Sequence, residues 1–381
     1  MKPTLLLAPD SFKGSLTARR FCEVAAAAVH HLLPEARVIA HPLADGGEGT
    51  LDVLSTLEGA RFIERTVTGP IGEPVEAGHL HLADRNTAVI EMARASGLLQ
   101  VPSRRRRSLE ATTRGTGELL VHALEQNPDR IVVTLGGSAT TDAGSGCLQA
   151  LGYRFLDTAG RPLPPGGGAL VRLARIEPPP PPLGGVELLG ATDVTTPLTG
   201  PTGAARMFAP QKGATPEEVA RLEAGLVRFA EVAARDLGLQ VADIPGAGAA
   251  GGLGAGLLLL GARLVRGFSL VAELTRFEER FTRNTIDLVI TGEGRLDGQS
   301  AHGKVPVEVA KVAARHSVPV VAVAGEVALS SEEAKTMGFD EVVALAGPEI
   351  PRRQRMAGVE RLLAEAVRGL IRRRGFSGAP P

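Results

Sequence analysis

The sequence has few cysteines. Cys22 and Cys147 are the two cysteines among 381 residues, and they lie far apart in the chain. A disulfide framework or a cysteine-based zinc site needs more thiols at closer spacing, so neither is indicated. We expect two buried or half-buried thiols.

The sequence also has no excess of charge of either sign. Its 42 Lys+Arg residues balance its 42 Asp+Glu residues, so the formal net charge is zero. Proteins that bind nucleic acid or an anionic membrane usually carry surplus positive charge, so neither partner is expected. Two arginine runs, Arg104–Arg107 and Arg372–Arg374, are interpreted as a solvated loop and a helix end.

Long hydrophobic runs are missing as well. The apolar stretch around Leu257–Leu260 falls far below the roughly 20 residues that a membrane-spanning helix needs. The N-terminal run Leu5–Ala8 is too short for the core of a signal peptide, and Asp10 follows it closely. We therefore expect a cytoplasmic protein.

Lysine is scarce in this arginine-rich chain. Only six lysines occur, and three of them, Lys13, Lys212 and Lys304, lie beside a glycine in loop-like sequence. A lysine in such a loop is a weak indication of a functional role.

Short apolar runs alternate with helical patterns through much of the chain. The expected strands are Thr4–Ala8, Arg37–Ala40, Arg130–Leu135, Asp287–Thr291, Val318–Ala324 and Glu341–Leu345, and the expected helices are Thr17–Leu33, Thr116–Glu125, Val305–His316 and Gly358–Arg374. Strands without polar alternation suit a parallel sheet that is buried on both faces. This order predicts βαβ units and a doubly wound α/β sheet.

Two stretches interrupt that rhythm and predict a second lobe. One resembles a hairpin, with Arg61–Val67 and Glu73–Leu82 on either side of a glycine turn, and the other contains expected helices at Pro216–Leu237 and Gly256–Glu279. We predict a discontinuous α/β domain formed by residues 1–60, 109–149 and 284–381. An α/β lobe formed by residues 61–108 and 150–283 would be inserted into it in two pieces.

Four unusual loops follow expected strands directly. They are residues 9–17, 42–50, 136–144 and 292–298, and each combines glycine, a carboxylate and, in most cases, serine or threonine. Ligands bind at the carboxyl edge of open α/β sheets, so we expect these loops to line one pocket. Glycine-rich backbone and lysine suit phosphate, whereas carboxylates suit Mg²⁺ or proton transfer. Together these groups indicate phosphoryl transfer.

Two better-known motifs match only in part. Gly298–Lys304 fits GxxxxGK, but Val305 follows where a P-loop needs Ser or Thr, so a standard P-loop is rejected and Lys304 is kept as a phosphate contact. Gly246–Gly251 fits GxGxxG but lacks a convincing strand before it. We interpret it as a glycine turn that permits close helix approach or as a nucleotide-phosphate loop, rather than as an NAD site. An NAD-dependent oxidoreductase is therefore disfavoured.

At these residues the chain resembles the glycerate kinases of the bacterial type I group, nearly from end to end. The resemblance is carried by seven motifs, APDSFKGSLTA (8–18), PLADGGEGT (42–50), TTRGTGELL (112–120), GGSATTDAG (136–144), TGPTGAA (199–205), PGAGAAGGLG (245–254) and TGEGRLDGQSAHGK (291–304). One departure is mild: Thr192 and Thr196 replace the family's Cys and Asn around Asp193.

The resemblance implies two α/β lobes, one of them Rossmann-like or flavodoxin-like. It also implies ATP-dependent, Mg²⁺-dependent phosphorylation of D-glycerate to 2-phosphoglycerate. A 3-phosphoglycerate product and a related kinase for another small hydroxy acid or polyol stay open as alternatives, and so does a homodimer. A transcriptional regulator is disfavoured, because no basic helix-turn-helix is evident.

Chemistry assigns hypothetical roles to the loop residues. The candidates for general base are Asp193 and Asp297, followed by Asp10 and Asp45, and the first two are also candidate Mg²⁺ ligands. The candidates for nucleotide or phosphate binding are Ser11, Lys13, Gly136, Gly137, Ser138, Thr140, Gly248, Gly251 and Lys304. Arg295 is a candidate for clamping the glycerate carboxylate, and Glu48 is a further candidate for substrate binding.

Overall fold

The computed structural model describes residues 2–180, 183–298, 300, 303–347 and 350–376, and these form two compact units. The first unit comprises Met1–Asp45 and Phe268–Pro381, and the second comprises Gly46–Gly267. Within the described residues, no helix combines the length and the apolar character needed to cross a membrane.

The strands, in chain order, are β1 (Thr4–Leu7), β2 (Arg37–Ala40), β3 (Ala60–Thr68), β4 (Pro74–Leu82), β5 (Thr87–Glu91), β6 (Arg130–Thr134), β7 (Arg154–Leu156), β8 (Arg175–Glu177), β9 (Glu187–Ala191), β10 (Arg263–Val265), β11 (Leu288–Asp297), β12 (Val320–Ala328) and β13 (Glu341–Ala344). The helices are α1 (Ala18–Leu32), α2 (Thr50–Leu54), α3 (Met92–Ser96), α4 (Arg114–Leu124), α5 (Ser145–Ala150), α6 (Ala204–Phe208), α7 (Pro216–Leu237), α8 (Ala249–Leu259), α9 (Gly267–Leu274), α10 (Glu279–Arg283), α11 (Val305–Arg315), α12 (Ser331–Thr336), α13 (Arg352–Ala357) and α14 (Val359–Arg373).

The first unit is built on a five-stranded parallel sheet in the order β2-β1-β11-β12-β13. Counted within the unit, this is the flavodoxin-like order 2-1-3-4-5. The segments Leu5–Leu7, Leu288–Ile290 and Val320–Ala324 of its central strands are apolar and buried, as expected for a parallel sheet covered on both faces. The predicted doubly wound α/β fold is thereby confirmed.

Helix α1 shows how the sequence produces this core. Thr17 caps the helix, because its hydroxyl accepts a hydrogen bond from the Arg20 N–H at 3.1 Å. Phe21, Ala25 and Val29 recur every four residues, so they share one face, which packs in the same core cluster as α14. Burying the larger of these side chains stabilises the unit by about 2 kcal/mol each.

The second unit is built on a mixed six-stranded sheet in the order β3-β4-β5-β6-β9-β10. Strands β3, β4 and β5 are antiparallel, whereas β5, β6, β9 and β10 are parallel. The predicted hairpin is confirmed as β3 and β4, and its turn is closed by a hydrogen bond from the Gly69 N–H to the Glu73 carbonyl at 2.6 Å. A small antiparallel pair, β7 and β8, lies elsewhere in the unit.

The two units divide the chain differently from the predicted domains. Residues 46–60 and 109–149 were expected in the first domain but belong to the second unit, because β6 pairs with β5 and β9 rather than with β1. Residues 268–283 belong to the first unit instead of the inserted lobe. The insertion is therefore one continuous segment rather than two pieces.

Two elements also differ from the sequence-based expectation. The expected helix Gly256–Glu279 is divided into α8, β10 and α9, because Gly261 turns the chain at φ +83° and β10 then pairs with β9. Strand β11 was expected to end at Thr291, yet it continues to Asp297 alongside an equally extended β12. The carboxylates expected in a loop after this strand therefore lie on the strand itself.

Candidate functional site

The carboxyl ends of β1 and β11 define the candidate site of the first unit. These neighbouring strands lie where the strand order of the sheet reverses, which is the position where flavodoxin-like sheets bind ligands. Asp10 follows β1, and its N–H donates to the Gly292 carbonyl of β11 at 2.8 Å. This bond holds the Asp10 carboxyl, which is almost fully buried, next to β11.

The extension of β11 presents three ionisable residues at alternate positions. Glu293, Arg295 and Asp297 share one face of the strand, because side chains repeat every second residue. Arg295 Nε donates to Asp297 Oδ2 at 3.1 Å. Arg295 thus contacts two carboxylates of the protein, since its Nη1 also lies 3.5 Å from Glu326 Oε1, and its predicted role as the clamp for the glycerate carboxylate stays a prediction.

Lys304 lies directly before helix α11 and points back to β11. Its Nζ donates to the Arg295 carbonyl at 3.0 Å and lies 3.3 Å from Glu293 Oε2 and 3.9 Å from Asp297 Oδ1. The predicted position of Lys304 at a helix N-terminus is confirmed. The same helix end was expected to attract phosphate.

Burial and charge change the acidity of two carboxyl groups here. Burial raises the pKa of Glu293 to about 7, although the neighbouring Lys304 ammonium opposes the shift. The pKa of Asp10 is also raised, first because the group is buried and then because the carboxylates of Asp45 and Glu293 repel its charge. Three carboxyl groups thus crowd one place, which favours binding of a cation or retention of a proton.

These groups surround a cavity of about 320 Å³ within the first unit. Its polar side is lined by Asp10, Ser11, Lys13, Asp45, Glu293, Arg295 and Lys304, and its apolar side by Leu345, Met356, Val359 and Leu362. The cavity therefore brings together seven polar residues. Six of them were predicted from the sequence, and Glu293 is the seventh.

The carboxylates of this cavity fit a magnesium ion better than a metal held by protein ligands alone. Among the described residues, no group of three or more His, Cys, Asp and Glu side chains is arranged to bind a metal. Mg²⁺ is commonly bound by one or two carboxylates together with water and substrate phosphates. Asp10 and Asp45, whose charges repel each other, are a donor pair of that kind, whereas the assignment of Mg²⁺ to Asp193 and Asp297 stays a prediction.

A second group of predicted residues lies at the carboxyl edge of the second sheet. The loop after β6 contains the predicted residues Gly136, Gly137, Ser138 and Thr140. Backbone hydrogen bonds hold it on one side, from the Leu98 N–H to the Gly137 carbonyl at 2.8 Å and from the Ala139 N–H to the Ser96 carbonyl at 2.9 Å. The loop is therefore rigidly attached to the end of α3.

The predicted glycines Gly248 and Gly251 let backbone approach backbone. A Cβ on Gly251 would overlap the Thr140 carbonyl, and a Cβ on Gly248 would overlap the Pro197 carbonyl. Gly251 also has φ +68°, a left-handed conformation that favours glycine. The interpretation of this motif as a turn that permits close approach agrees with the structure.

Lys212 is a buried residue beside this second group, and no role in binding or catalysis was assigned to it from the sequence. Its Nζ donates to Ser138 Oγ at 2.7 Å and to the Thr140 carbonyl at 2.5 Å. Burial lowers the pKa of this lysine to about 7, while the Asp142 carboxylate opposes the shift. The one available signal was a lysine beside a glycine in a chain that otherwise uses arginine.

Asp193 and Glu48 occupy different surroundings in the same unit. Asp193 follows β9, the neighbour of β6, and its Oδ1 accepts a hydrogen bond from the Gly267 N–H at 3.1 Å. Glu48 is exposed in a loop whose Gly47 packs against Gly136. The buried carboxylate of Glu91 holds this loop, because it accepts hydrogen bonds from the Gly49 and Leu51 N–H groups.

The predicted residues thus form two groups, one in each unit. The first unit contains Asp10, Ser11, Lys13, Asp45, Arg295, Asp297 and Lys304. The second unit contains Glu48, Gly136, Gly137, Ser138, Thr140, Asp193, Gly248 and Gly251. The expectation that both groups face a single pocket stays a prediction. Sequence reasoning missed Glu293, Glu91 and Lys212, which are all buried ionisable residues.

Comparison with known proteins identifies the class and then the family. The chain is an enzyme of the kinase class: a crystal structure described as that of a glycerate kinase 2 from Salmonella typhimurium LT2 superposes with a TM-score of 0.83 at 40% identity, covering 97% of each chain. A family model, the glycerate kinase family, matches residues 5–374. The chain belongs to the glycerate kinase family.

Two relatives agree with this assignment. A glycerate kinase of Bacillus subtilis (strain 168) is 46% identical over 350 residues, which is 91% of both chains. A glycerate 2-kinase of Escherichia coli (strain K12) is 44% identical over 324 residues, or 84% of both.

Proposed function

We propose that the protein transfers the γ-phosphoryl group of ATP to D-glycerate and releases 2-phosphoglycerate and ADP in the cytoplasm. In this reaction the 2-hydroxyl oxygen forms a bond to the γ-phosphorus. The bond from that phosphorus to the β,γ-bridging oxygen breaks, and the hydroxyl proton passes to a carboxylate of the enzyme. The 2-kinase named among the relatives supports this choice of hydroxyl.

The observation that carries the proposal is the cavity of the first unit. Lys13 and Lys304 place two ammonium groups beside it, which suits the negative charge of a polyphosphate. Its apolar wall, with Leu345 and Met356, suits a purine ring. Mg²⁺ held by Asp10 and Asp45 would neutralise phosphate charge when bound.

A carboxylate must accept the proton of the hydroxyl group. The sequence supplies Asp193, Asp297, Asp10 and Asp45 as candidates, and the structure adds Glu293. Glu293 has the pKa best matched to neutral pH, at about 7, and a base whose pKa lies near the working pH is most effective. We therefore rank Glu293 first for proton transfer within the first unit.

The experiment is a coupled assay of ADP formation with D-glycerate, ATP and Mg²⁺. Turnover should require all three, and a folded protein that forms no ADP with them would contradict the proposal. A panel of small hydroxy acids and polyols separates glycerate from the related substrates that stay open.

The product is identified by ³¹P NMR. Phosphate on the 2-oxygen couples to one proton and gives a doublet, whereas phosphate on the 3-oxygen couples to two and gives a triplet. We expect the doublet. A triplet would assign the alternative product, 3-phosphoglycerate, and would overturn the choice of hydroxyl.

A further inference from the structure

Lys212 is a buried cation whose direct partners carry no charge. The residue is 3% exposed, and its hydrogen-bond partners in the described part of the chain are the Ser138 hydroxyl and the Thr140 carbonyl. A buried charge that lacks an ion pair destabilises the fold. A protein tolerates such a group more readily where a bound anion supplies the opposite charge.

Asp142, the neighbouring carboxylate, is engaged elsewhere. Its Oδ2 accepts hydrogen bonds from the Thr113 N–H at 2.9 Å and the Thr113 hydroxyl at 2.9 Å, and from the Gly146 N–H at 3.2 Å. Asp142 Oδ1 accepts from the Gly144 N–H at 3.2 Å. Asp142 therefore organises the backbone around α5, and it influences Lys212 through space rather than through a bond.

The bond from Lys212 decides what Ser138 can do. When Lys212 is protonated its ammonium group can only donate, so Ser138 Oγ accepts this bond and its own hydrogen is available for another acceptor. Thr140 Oγ1 is fully buried and has no hydrogen-bond partner among the described residues. The Ser138 hydroxyl, which is bonded to the buried lysine, and the Thr140 hydroxyl of the same loop are suited to an anionic oxygen.

The loop that carries these hydroxyls is held from two sides. Ser138 forms an isolated β-bridge with Gly97, and the Ala143 N–H donates to the Gly251 carbonyl at 3.1 Å. A donor held this firmly needs little reorganisation when a charged ligand arrives.

We propose that Lys212 is a positioning residue that orients the Ser138 hydroxyl toward an anionic oxygen of a bound substrate. That oxygen belongs either to the carboxylate of the hydroxy acid or to a phosphate of the nucleotide. The inference rests on the proposed function, and it adds a residue to which no role had been assigned.

The test compares Lys212→Met, Ser138→Ala and the double variant with the wild type. Loss of one oriented, charge-assisted hydrogen bond should raise KM by about 10- to 100-fold for one substrate, with kcat changed far less. A rise in KM for glycerate assigns the carboxylate, and a rise in KM for ATP assigns the phosphate. Lys311→Met, at a half-exposed lysine paired with Glu308, is the matched control and should leave both constants unchanged.

The double variant separates positioning from structural support. If Lys212 acts through Ser138, the double variant should match Ser138→Ala, because the second change removes nothing further. Additive losses, or wild-type KM values in Lys212→Met, would overturn the proposal. If Lys212→Met does not melt cooperatively, Lys212→Gln replaces it, and failure of both to fold would assign a purely structural lysine.

If the proposed kinase reaction itself is wrong, the experiment gives a result that differs from failure of the Lys212 proposal. Wild-type protein would then form no ADP with glycerate, and the shift in melting temperature on adding ATP or inorganic phosphate becomes the readout. A shift that is lost in Lys212→Met supports the anion site independently of the reaction. An equal shift in both proteins overturns it.

Discussion

Lys304 Nζ lies 3.3 Å from Glu293 Oε2, so an ammonium group at the start of α11 faces a buried carboxyl group on β11. The carboxyl group retains a pKa of about 7 in spite of this neighbour, because burial outweighs the attraction of the charges. Lys304, an ammonium group suited to phosphate, thus lies beside Glu293, a carboxyl group that can exchange a proton near neutral pH.

Replacing Lys304 by Met should reduce kcat/KM for ATP by about 100-fold, because one charged donor to the transferring phosphoryl group is lost. Steady-state kinetics with varied ATP measure the change. Lys311→Met on the same helix is the control, since Lys311 Nζ pairs with Glu308 on the surface. Equal kinetics in Lys304→Met and the control would remove Lys304 from the site.

The raised pKa of Glu293 also predicts how stability changes with pH. Between the ordinary value of 4.5 and the folded value of about 7, the unfolded chain has released the proton that the folded protein retains. The free energy of unfolding should therefore fall as pH rises through this window, by up to about 3 kcal/mol from this group. Asp10, whose pKa is raised too, contributes in the same direction.

Urea unfolding from pH 4.5 to 8 measures this dependence. Glu293→Gln cannot ionise, so it should lose much of the slope while Asp10 retains the remainder. Glu365→Gln, at a half-exposed glutamate paired with Arg361 on α14, is the control and should keep the wild-type slope. A Glu293→Gln curve parallel to the wild type would show that Glu293 titrates normally.

The same group should shape the pH dependence of activity. If Glu293 accepts the hydroxyl proton, kcat/KM should rise with pH and level off above about 7. Lys304→Met should move this limb to higher pH, because the lysine is the cation that favours the ionised carboxylate. A limb at the same pH in both proteins would assign the titration to another group.

Most strands and helices could be predicted because their apolar spacing decides them locally. Helix α7 matches its predicted range, Pro216–Leu237, and β2 matches Arg37–Ala40. The extension of β11 was missed because Gly292 and Gly294 indicate a turn, whereas pairing with β12 keeps the chain extended. The unit boundaries were missed for a similar reason, since only strand pairing assigns β6 to the second sheet.

The sequence predicted which residue types form the candidate site, but it did not predict their burial or their hydrogen bonds. Glycine, lysine and aspartate in loops could be read directly, and six of these predicted residues line one cavity. The acidity of Glu293 and the bonds of Lys212 depend on burial, which only the folded chain determines.

Gly251→Ala should destabilise the second unit strongly. The added Cβ would meet the Thr140 carbonyl at a position that already has φ +68°. Steric overlap and backbone strain together should cost about 3 kcal/mol or more of unfolding free energy. Gly261→Ala is the matched control, because Gly261 has φ +83° with open space around it.

Denaturant unfolding separates the two contributions. The control should lose only about 1 kcal/mol, which is the cost of the left-handed backbone. Equal losses in both variants would show that the close approach of Gly251 to Thr140 has no effect of its own.

Asp193→Asn and Asp297→Asn keep the shape of each side chain and remove its charge. Asp297 contacts Arg295 and Lys304 in the first unit, and Asp193 accepts a hydrogen bond from the Gly267 N–H in the second. We expect turnover to fall by about 100-fold or more in at least one variant, because a carboxylate that accepts a proton or holds Mg²⁺ cannot be replaced by an amide. Melting temperatures should stay close to the wild type, so the loss would be chemical. Wild-type rates in both variants would remove Asp193 and Asp297 from the candidates and leave Asp10, Asp45 and Glu293, the carboxyl groups that line the cavity of the first unit.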